Sequence, residues 1–258
     1  MSMSDTPIYA VGDIHGQLDF LDAALERIAK DGGAQARILF VGDLVDRGPD
    51  SAGVIDRLIE GMEARPWTVL KGNHDRMFEL FLKRGELHDD NIKSGLAWLH
   101  PRLGGVATLA SYGVEAADER ALDDVLEEAR QNVPAAHRAF IETLPLTEET
   151  ETLFFCHAGI RPGVPLDRQD EEDLLWIRQD FLTDTTRHPK LVVHGHTPVD
   201  RPTHHGNHLN LDCGAGYGAP IEPVVIEGPD EVYQLTENGR IRIRPARSAW
   251  ERLTRPLR

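Results

Sequence analysis

The chain is poor in cysteine, aromatic residues, positive charge and long apolar runs, and each shortage excludes something. Two cysteines in 258 residues, Cys156 and Cys213, cannot build a disulfide framework and leave room for one bridge at most. No uninterrupted apolar stretch approaches the roughly 18 residues of a membrane span. Lys and Arg number 28 against 43 Asp and Glu, a formal charge of −15. So acidic a surface repels nucleic-acid backbones and anionic membranes, and neither is expected as a partner. A phosphorylated ligand can still bind where positive charge is concentrated. The leading MSMSDTPIYAVGD has neither a basic leader nor a long apolar segment, so a cytoplasmic protein is expected.

What is present is ordered alternation. Strand-like runs at IYAV (8–11), RILFV (37–41) and WTVLK (67–71) each end in Gly and polar residues. Leu18, Leu21, Leu25 and Ile28 recur at helical spacing after the first run, and a second helix fits 51–63. Strand and helix alternating at this spacing predict parallel βαβ units, whose binding groups gather at the carboxyl ends of the strands. Residues 80–150 read as mostly helical, an insertion or cap over the sheet edge. They contain an acidic stretch at 115–131 that reads equally as a solvated helix face. Strand signals return at 152–156, 191–195, 208–212 and 223–227, crowded enough to suggest an antiparallel second sheet. A hairpin is predicted at Asn238-Gly239. Residues 240–258 carry seven arginines against one acid, expected as a solubilising edge strand and frayed end, or as a contact to an acidic surface. Without linker or repeat, residues 1–258 are expected to form one domain.

The chemistry sits where the strands stop. Asp13 and His15, at i and i+2, leave one face of extended chain together. Asp43 follows the second strand, Asn73 and His74 the third, His157 the fourth, and His194 and His196 flank Gly195 after the fifth. Carboxylate, carboxamide and imidazole suit a borderline divalent metal. Cys156 neighbours His157 on a strand and is expected to point the other way. Five such clusters in order, each after a predicted strand, are not an accident of composition.

GDIHG, GDLVDRG, GNHD, HAG and GHT, with LLWIR (174–178) and LNLDCGAGYG (209–218), resemble the phosphoprotein phosphatase family of the metallophosphoesterases, bacterial and bacteriophage-lambda-type members above all. The resemblance implies an α/β fold: a calcineurin-like β-sandwich of two mixed sheets flanked by helices, with the helical insertion at 80–150. It implies two divalent metal ions, manganese first, with iron, zinc or cobalt also compatible. Asp13 and His15 would hold one metal, Asp43 would bridge, and Asn73, His157 and His196 would hold the other. A hydroxide between the metals would attack phosphorus in line. His74 matches the family's general acid, with Asp46 orienting it, and Arg47, Arg178 and more weakly Arg161 match phosphate-clamping arginines. Pro198, in GHTP, stands where many other metallophosphoesterases carry a second histidine, which leaves the first metal fewer protein ligands. His194 is expected to be packed, and THHGNH (203–208) to be an exposed turn.

Rival chemistries fare worse. Cysteine-dependent phosphatases space cysteine and arginine by five residues, whereas Cys156 and Arg161 are separated by four. No G-x-S-x-G elbow exists for an acylating serine. Within the two-metal reading, a Ser/Thr phosphoprotein phosphatase acting on phosphomonoesters is the first expectation. A symmetrical bis(5'-nucleosyl)-tetraphosphate hydrolase is the alternative, and a catalytically inactive binding module is the third. The expected partner is thus a phosphorylated protein or a small phosphoester.

Overall fold

The computed structural model describes residues 6–245. Two sheets face each other. The first has six strands in the order β11-β10-β9-β1-β2-β3, with β1 (Ile8–Val11), β2 (Arg37–Phe40) and β3 (Trp67–Val69) parallel. On the other side of β1, β9 (Val224–Gly228), β10 (Glu231–Thr236) and β11 (Gly239–Ile243) continue it antiparallel. The second sheet has the order β4-β5-β6-β8-β7, formed by Thr147–Glu149, Leu153–Cys156, Leu191–His194, His208–Asn210 and Thr203–His204.

Period-2 alternation builds the layers. Ile8 and Ala10 of β1 face the second sheet and pack with Leu39, Phe155, Val193 and Leu209 in one apolar slab. Tyr9 and Val11 face the other way, onto the helices. There α1 (Leu18–Gly32) presents Leu21, Leu25 and Ile28 at helical spacing, and α2 (Ser51–Ala64) presents Val54, Ile55 and Leu58. Asp50 caps α2 by accepting a 2.7 Å bond from the Gly53 amide. A third apolar layer, with Phe154, Cys156 and Val192 against Leu174, Ile177 and Phe181, covers the outer face of the second sheet.

The structure corrects several sequence expectations. The second sheet is mixed, as the resemblance implies and the crowded strand signals did not: β5–β6 and β6–β8 are parallel, and only the edge pairs β4–β5 and β7–β8 run opposed. Two short helices, α7 (Glu171–Trp176) and α8 (Gln179–Leu182), supply the β5–β6 crossover that parallel pairing requires. The 80–150 segment is only partly helical. After α3 (Asn73–Arg84), residues 85–104 form neither helix nor strand; α4 (Gly105–Ser111), α5 (Leu122–Asn132) and α6 (Ala135–Thr143) follow. These pack on α2 and α3 rather than over a sheet edge. The acidic stretch is a solvated face of α5, whose Val125 and Ala129 turn inward. The hairpin turn falls at 237–238, because Gly239, at φ 106°, already pairs with Thr236. Arg240 binds this protein's own acids, Asp31 at 2.7 Å and Glu227 at 2.6 Å; the expected frayed end, 246–258, lies outside the described residues. Both cysteines are free. Among the described residues no helix is long and apolar enough to cross a membrane.

THHGNH is not simply an exposed turn. His204 on β7 and His208 on β8 are buried, and only the 205–207 tip reaches outward. His208 Nδ1 lies 2.8 Å from Nε2 of the buried His194, and Phe181 packs against both rings. Burial pushes His194 down to about 3, and burial with the neighbouring imidazoles, His194 first, pushes His208 down to about 2. In the unfolded chain each titrates near 6.5. Below that pH the unfolded state binds more protons, so this stability is complete above roughly pH 6.5 and declines on acidification. Thermal unfolding should lose on the order of 1.4 kcal/mol per pH unit for each proton between pH 6.5 and 5. A His208→Gln variant should show a shallower dependence.

Candidate active site

The parallel strands of both sheets end at one rim, and the polar residues predicted there meet. Asp13 and His15 follow β1, Asp43 follows β2, Asn73 and His74 open α3 after β3, His157 follows β5, and His196 follows β6. All are at least 95% buried. Backbone ties lock the two sheets together at this point. His157 Nδ1 donates to the Val41 carbonyl of the other sheet at 2.9 Å. The His196 amide donates to Asp13 at 3.1 Å.

Those bonds fix the imidazole tautomers from their partners. With Nδ1–H given to Val41, His157 turns its Nε2 lone pair inward, 2.9 Å from Asn73 Oδ1, 3.4 Å from Asp43 Oδ1 and 3.2 Å from His196 Nδ1. His15 gives Nδ1–H to the Val45 carbonyl at 2.9 Å and turns Nε2 toward Asp43 Oδ2 at 3.5 Å and Asp13 Oδ2 at 4.0 Å. Donor atoms of Asp43, His157 and His196 lie within 4.8 Å of one another, as do those of His15, Asp43 and His74, so Asp43 belongs to both groups. The lone pairs of His157 Nε2, Asn73 Oδ1 and Asp43 Oδ1 converge without protons between them and repel, and a cation reverses the sign, whereas His15 Nε2 accepts from Arg47 Nη1 at 2.5 Å. These nitrogen and oxygen donors fit divalent metal ions.

Electrostatics agree. Burial pushes the Asp43 carboxyl up, and only positive charge around it, on the imidazoles of His157, His74, His15 and His196 or on a cation among them, holds it below the usual range. Burial, then Asp212 and Asp43, push Asp13 well above it. Burial keeps His157 below its ordinary value, and His15 and His196 well below, so these imidazoles offer lone pairs rather than protons at neutral pH. The backbone is strained at the same place: His15, Asp43, Asp46, Arg47 and His196 have φ between 52° and 75°. Side chains adopt that region at a cost of order 1–3 kcal/mol each, and here sharp turns aim five of them at one point. Glycines leave room. A Cβ at Gly72 would lie 2.2 Å from Asp43 Oδ1, and one at Gly195 would lie 2.0 Å from Asp13 Oδ1.

A family model described as calcineurin-like phosphoesterase matches residues 6–221. The chain belongs to the calcineurin-like phosphoesterase family. Two curated relatives are named bis(5'-nucleosyl)-tetraphosphatase PrpE [asymmetrical]. The protein from Anoxybacillus flavithermus is 27% identical over 72% of this chain and 73% of its own. That from Oceanobacillus iheyensis is 27% identical over 81% and 84%. A crystal structure provisionally described as a diadenosine tetraphosphatase shares the fold, with a TM-score of 0.61 at 21% identity, over 96% of this chain and 97% of the other.

Around this phosphoesterase's donor groups lie the other predicted residues. His74 Nδ1 donates to Asp46 Oδ2 at 2.6 Å, which leaves Nε2 facing the site, where Arg47 Nη2 donates to it at 2.9 Å. Asp46 is wholly buried and fully bonded: Trp98 Nε1 reaches its Oδ2 at 2.8 Å and Thr108 Oγ1 its Oδ1 at 2.6 Å. Arg178 is exposed on the wall of the cavity, with Nη1 3.2 Å from Thr197. Arg161 also lines the cavity, but it is paired with Asp173 and Asp180, so the structure does not leave its charge free for a ligand. Cys156 is buried with its thiol on the Gly159 carbonyl, and burial pushes the thiol up, far from a nucleophilic thiolate.

Sequence reasoning missed Trp98, Thr108 and Asp212. The first two come from the segment that the family motifs do not cover; a single tryptophan in an otherwise mostly polar, irregular stretch was the only available signal. Asp212 lay inside LNLDCGAGYG, after a strand like the other acids, and was readable by the same rule. It is buried beside Asp13 and Asp43, and burial and Asp43 raise it to about 6.

Asp43→Asn should leave the fold intact by circular dichroism while cutting metal-dependent turnover by more than about 100-fold. Full activity would disprove the shared role of this carboxylate. Trp98→Phe removes one bond to Asp46 without emptying the core, and should lower kcat about 10-fold or more with bound-metal stoichiometry unchanged.

Proposed function

We propose that this phosphoesterase hydrolyses dinucleoside tetraphosphates in preference to phosphoproteins, reversing the order of the two readings that the motifs suggested and, on the relatives' names, exchanging symmetrical for asymmetrical cleavage. One observation carries the choice. The donor cluster opens through Asn73 and His74 onto one hollow, and a second, which none of the donors lines, adjoins it and shares its Arg47, Ser94 and Leu103. One of about 670 Å³ is lined also by His74, Lys93 and Arg178, and one of about 520 Å³ by Arg102 and Tyr217. A phosphoserine needs one entrance. A polyphosphate chain carrying a nucleoside at each end uses two, and Arg47, bonded to His15 and His74 and lining both hollows, joins them beside the donor cluster. The names of the relatives, PrpE [asymmetrical], support the same reading. The net charge of −15 opposes a tetra-anion only at long range, since the basic side chains of both hollows set the local field.

Asn73, His157 and His196 would hold one metal ion, Asp13 and His15 the other, with Asp43 between. Divalent ions so held supply positive charge to phosphoryl oxygens and lower the pKa of a water molecule. The chain's own groups do the rest. Arg47 and Arg178 bind the phosphate oxygens and orient phosphorus for in-line displacement. With Arg47 turned from His74 Nε2 onto the phosphate, Nε2 takes up a proton from water, and the imidazolium, held through Nδ1–H by Asp46, delivers that proton to the leaving oxygen.

The manganese-loaded protein, assayed with diadenosine tetraphosphate, a phosphoserine peptide and p-nitrophenyl phosphate, should show kcat/KM for the tetraphosphate at least about 100-fold above that for the peptide. The expected products are ATP and AMP; two ADP would indicate symmetrical cleavage. A peptide turned over faster than the tetraphosphate would sink the proposal.

A further inference from the structure

Tyr217 is the most exposed large apolar side chain among the described residues, at 72%, and its neighbour Gly216 packs against His15 and Arg47. The turn that carries it is rigid. Gly214 and Gly218, at φ 83° and 86°, bracket a single helical turn, and the Gly214 carbonyl accepts from Tyr217 N at 2.9 Å and from Ala219 N at 3.2 Å. Gly216 packs so tightly on the site that a Cβ there would come within 2.6 Å of the His15 ring. The backbone, not contacts of the ring, therefore aims Tyr217 into the smaller hollow. Its walls are chemically divided. Leu96, Pro101 and Leu103 form an apolar side, Arg102 lies beside them, and Arg47 sits at the inner end with its guanidinium 5.1 Å from the Tyr217 centroid.

We infer that this hollow is a nucleoside subsite in which the Tyr217 ring is the stacking platform for one base. The match is one of shape and order. A nucleotide is a planar heterocycle joined through a sugar to phosphate; the hollow offers an exposed aromatic face, then Arg47, then the donor cluster. Stacking on an aromatic ring tolerates any base, and a flanking guanidinium strengthens it. A phosphopeptide side chain would leave the ring unused. The inference rests on the dinucleotide reading, and it extends that reading by naming the residue that recognises one end of the substrate.

The test compares two non-hydrolysable ligands that share a bisphosphonate and differ by adenosine: α,β-methylene-ADP and methylenediphosphonate. Titration calorimetry on the manganese-loaded wild type should find the nucleotide bound at least about tenfold more tightly than the bisphosphonate. In Tyr217→Ala that ratio should fall about tenfold, and in Tyr217→Trp it should persist. A ratio unchanged in Tyr217→Ala, or an equal weakening of both ligands, would mean that Tyr217 acts only by holding Arg47, and would overturn the inference. Turnover of diadenosine tetraphosphate separates the two readings. Wild-type turnover with an unchanged ratio overturns the subsite alone. Absent turnover with a ratio lost in Tyr217→Ala overturns the dinucleotide reading and leaves the subsite standing.

Discussion

An ionised carboxylate kept out of water is the constraint around which this protein is organised. Asp43 is 2% exposed, and an unpaired charge at that depth would cost several kcal/mol. It accepts from the His74 backbone amide at 2.9 Å, and with neutral imidazoles around it the rest of its charge calls for a cation. Holding that arrangement demands that the strand ends of two separate sheets coincide. Hence the cross-sheet bonds from His157 to Val41 and from His196 to Asp13, the left-handed backbone at five polar residues, and the glycines whose missing Cβ atoms let carboxylates approach. The strain is tolerable because the apolar slab between the sheets over-determines where each strand ends.

The insertion between α3 and β4 contributes differently from what its composition suggests. Its helices pack on α2 and α3, and its irregular part reaches back into the site through Trp98. With Thr108 of α4, that indole completes the hydrogen bonding of Asp46, which otherwise would be a second buried carboxylate with too few partners. The insertion thereby sets the tautomer and aim of His74 through one intervening residue, Asp46. The same segment, through Ser94 and Leu103, forms the wall common to both hollows, so the orientation of the acid and the shape of the entrance are coupled by one piece of chain.

Charge shows the same separation of scales. The chain as a whole is strongly acidic, yet basic groups line the hollows beside the donor cluster: Arg47, Lys93, Arg102 and Arg178. Arg161 is an instructive exception. By sequence it resembled a third phosphate-binding arginine, but two carboxylates that lie far along the chain, Asp173 and Asp180, take its donors. Neither its neighbours in HAGIRPG nor its spacing from His157 could reveal that.

The sequence by itself determined the donor types and their order, because strand ends announce themselves locally. An apolar run stops, a glycine turns the chain, and a ligand follows. The parallel first sheet and the inward face of α1 were legible for the same reason, since periods of 2 and 3.6 are properties of neighbouring residues. Only the tertiary structure decided what depends on partners distant in the chain. It made the second sheet mixed by folding α7 and α8 into a crossover, brought Trp98 and Thr108 to Asp46, and withdrew Arg161 into ion pairs. It also buried His204 and His208, and set an exposed Tyr217 beside Arg47. Local pattern fixes which groups a strand delivers; packing fixes what those groups meet.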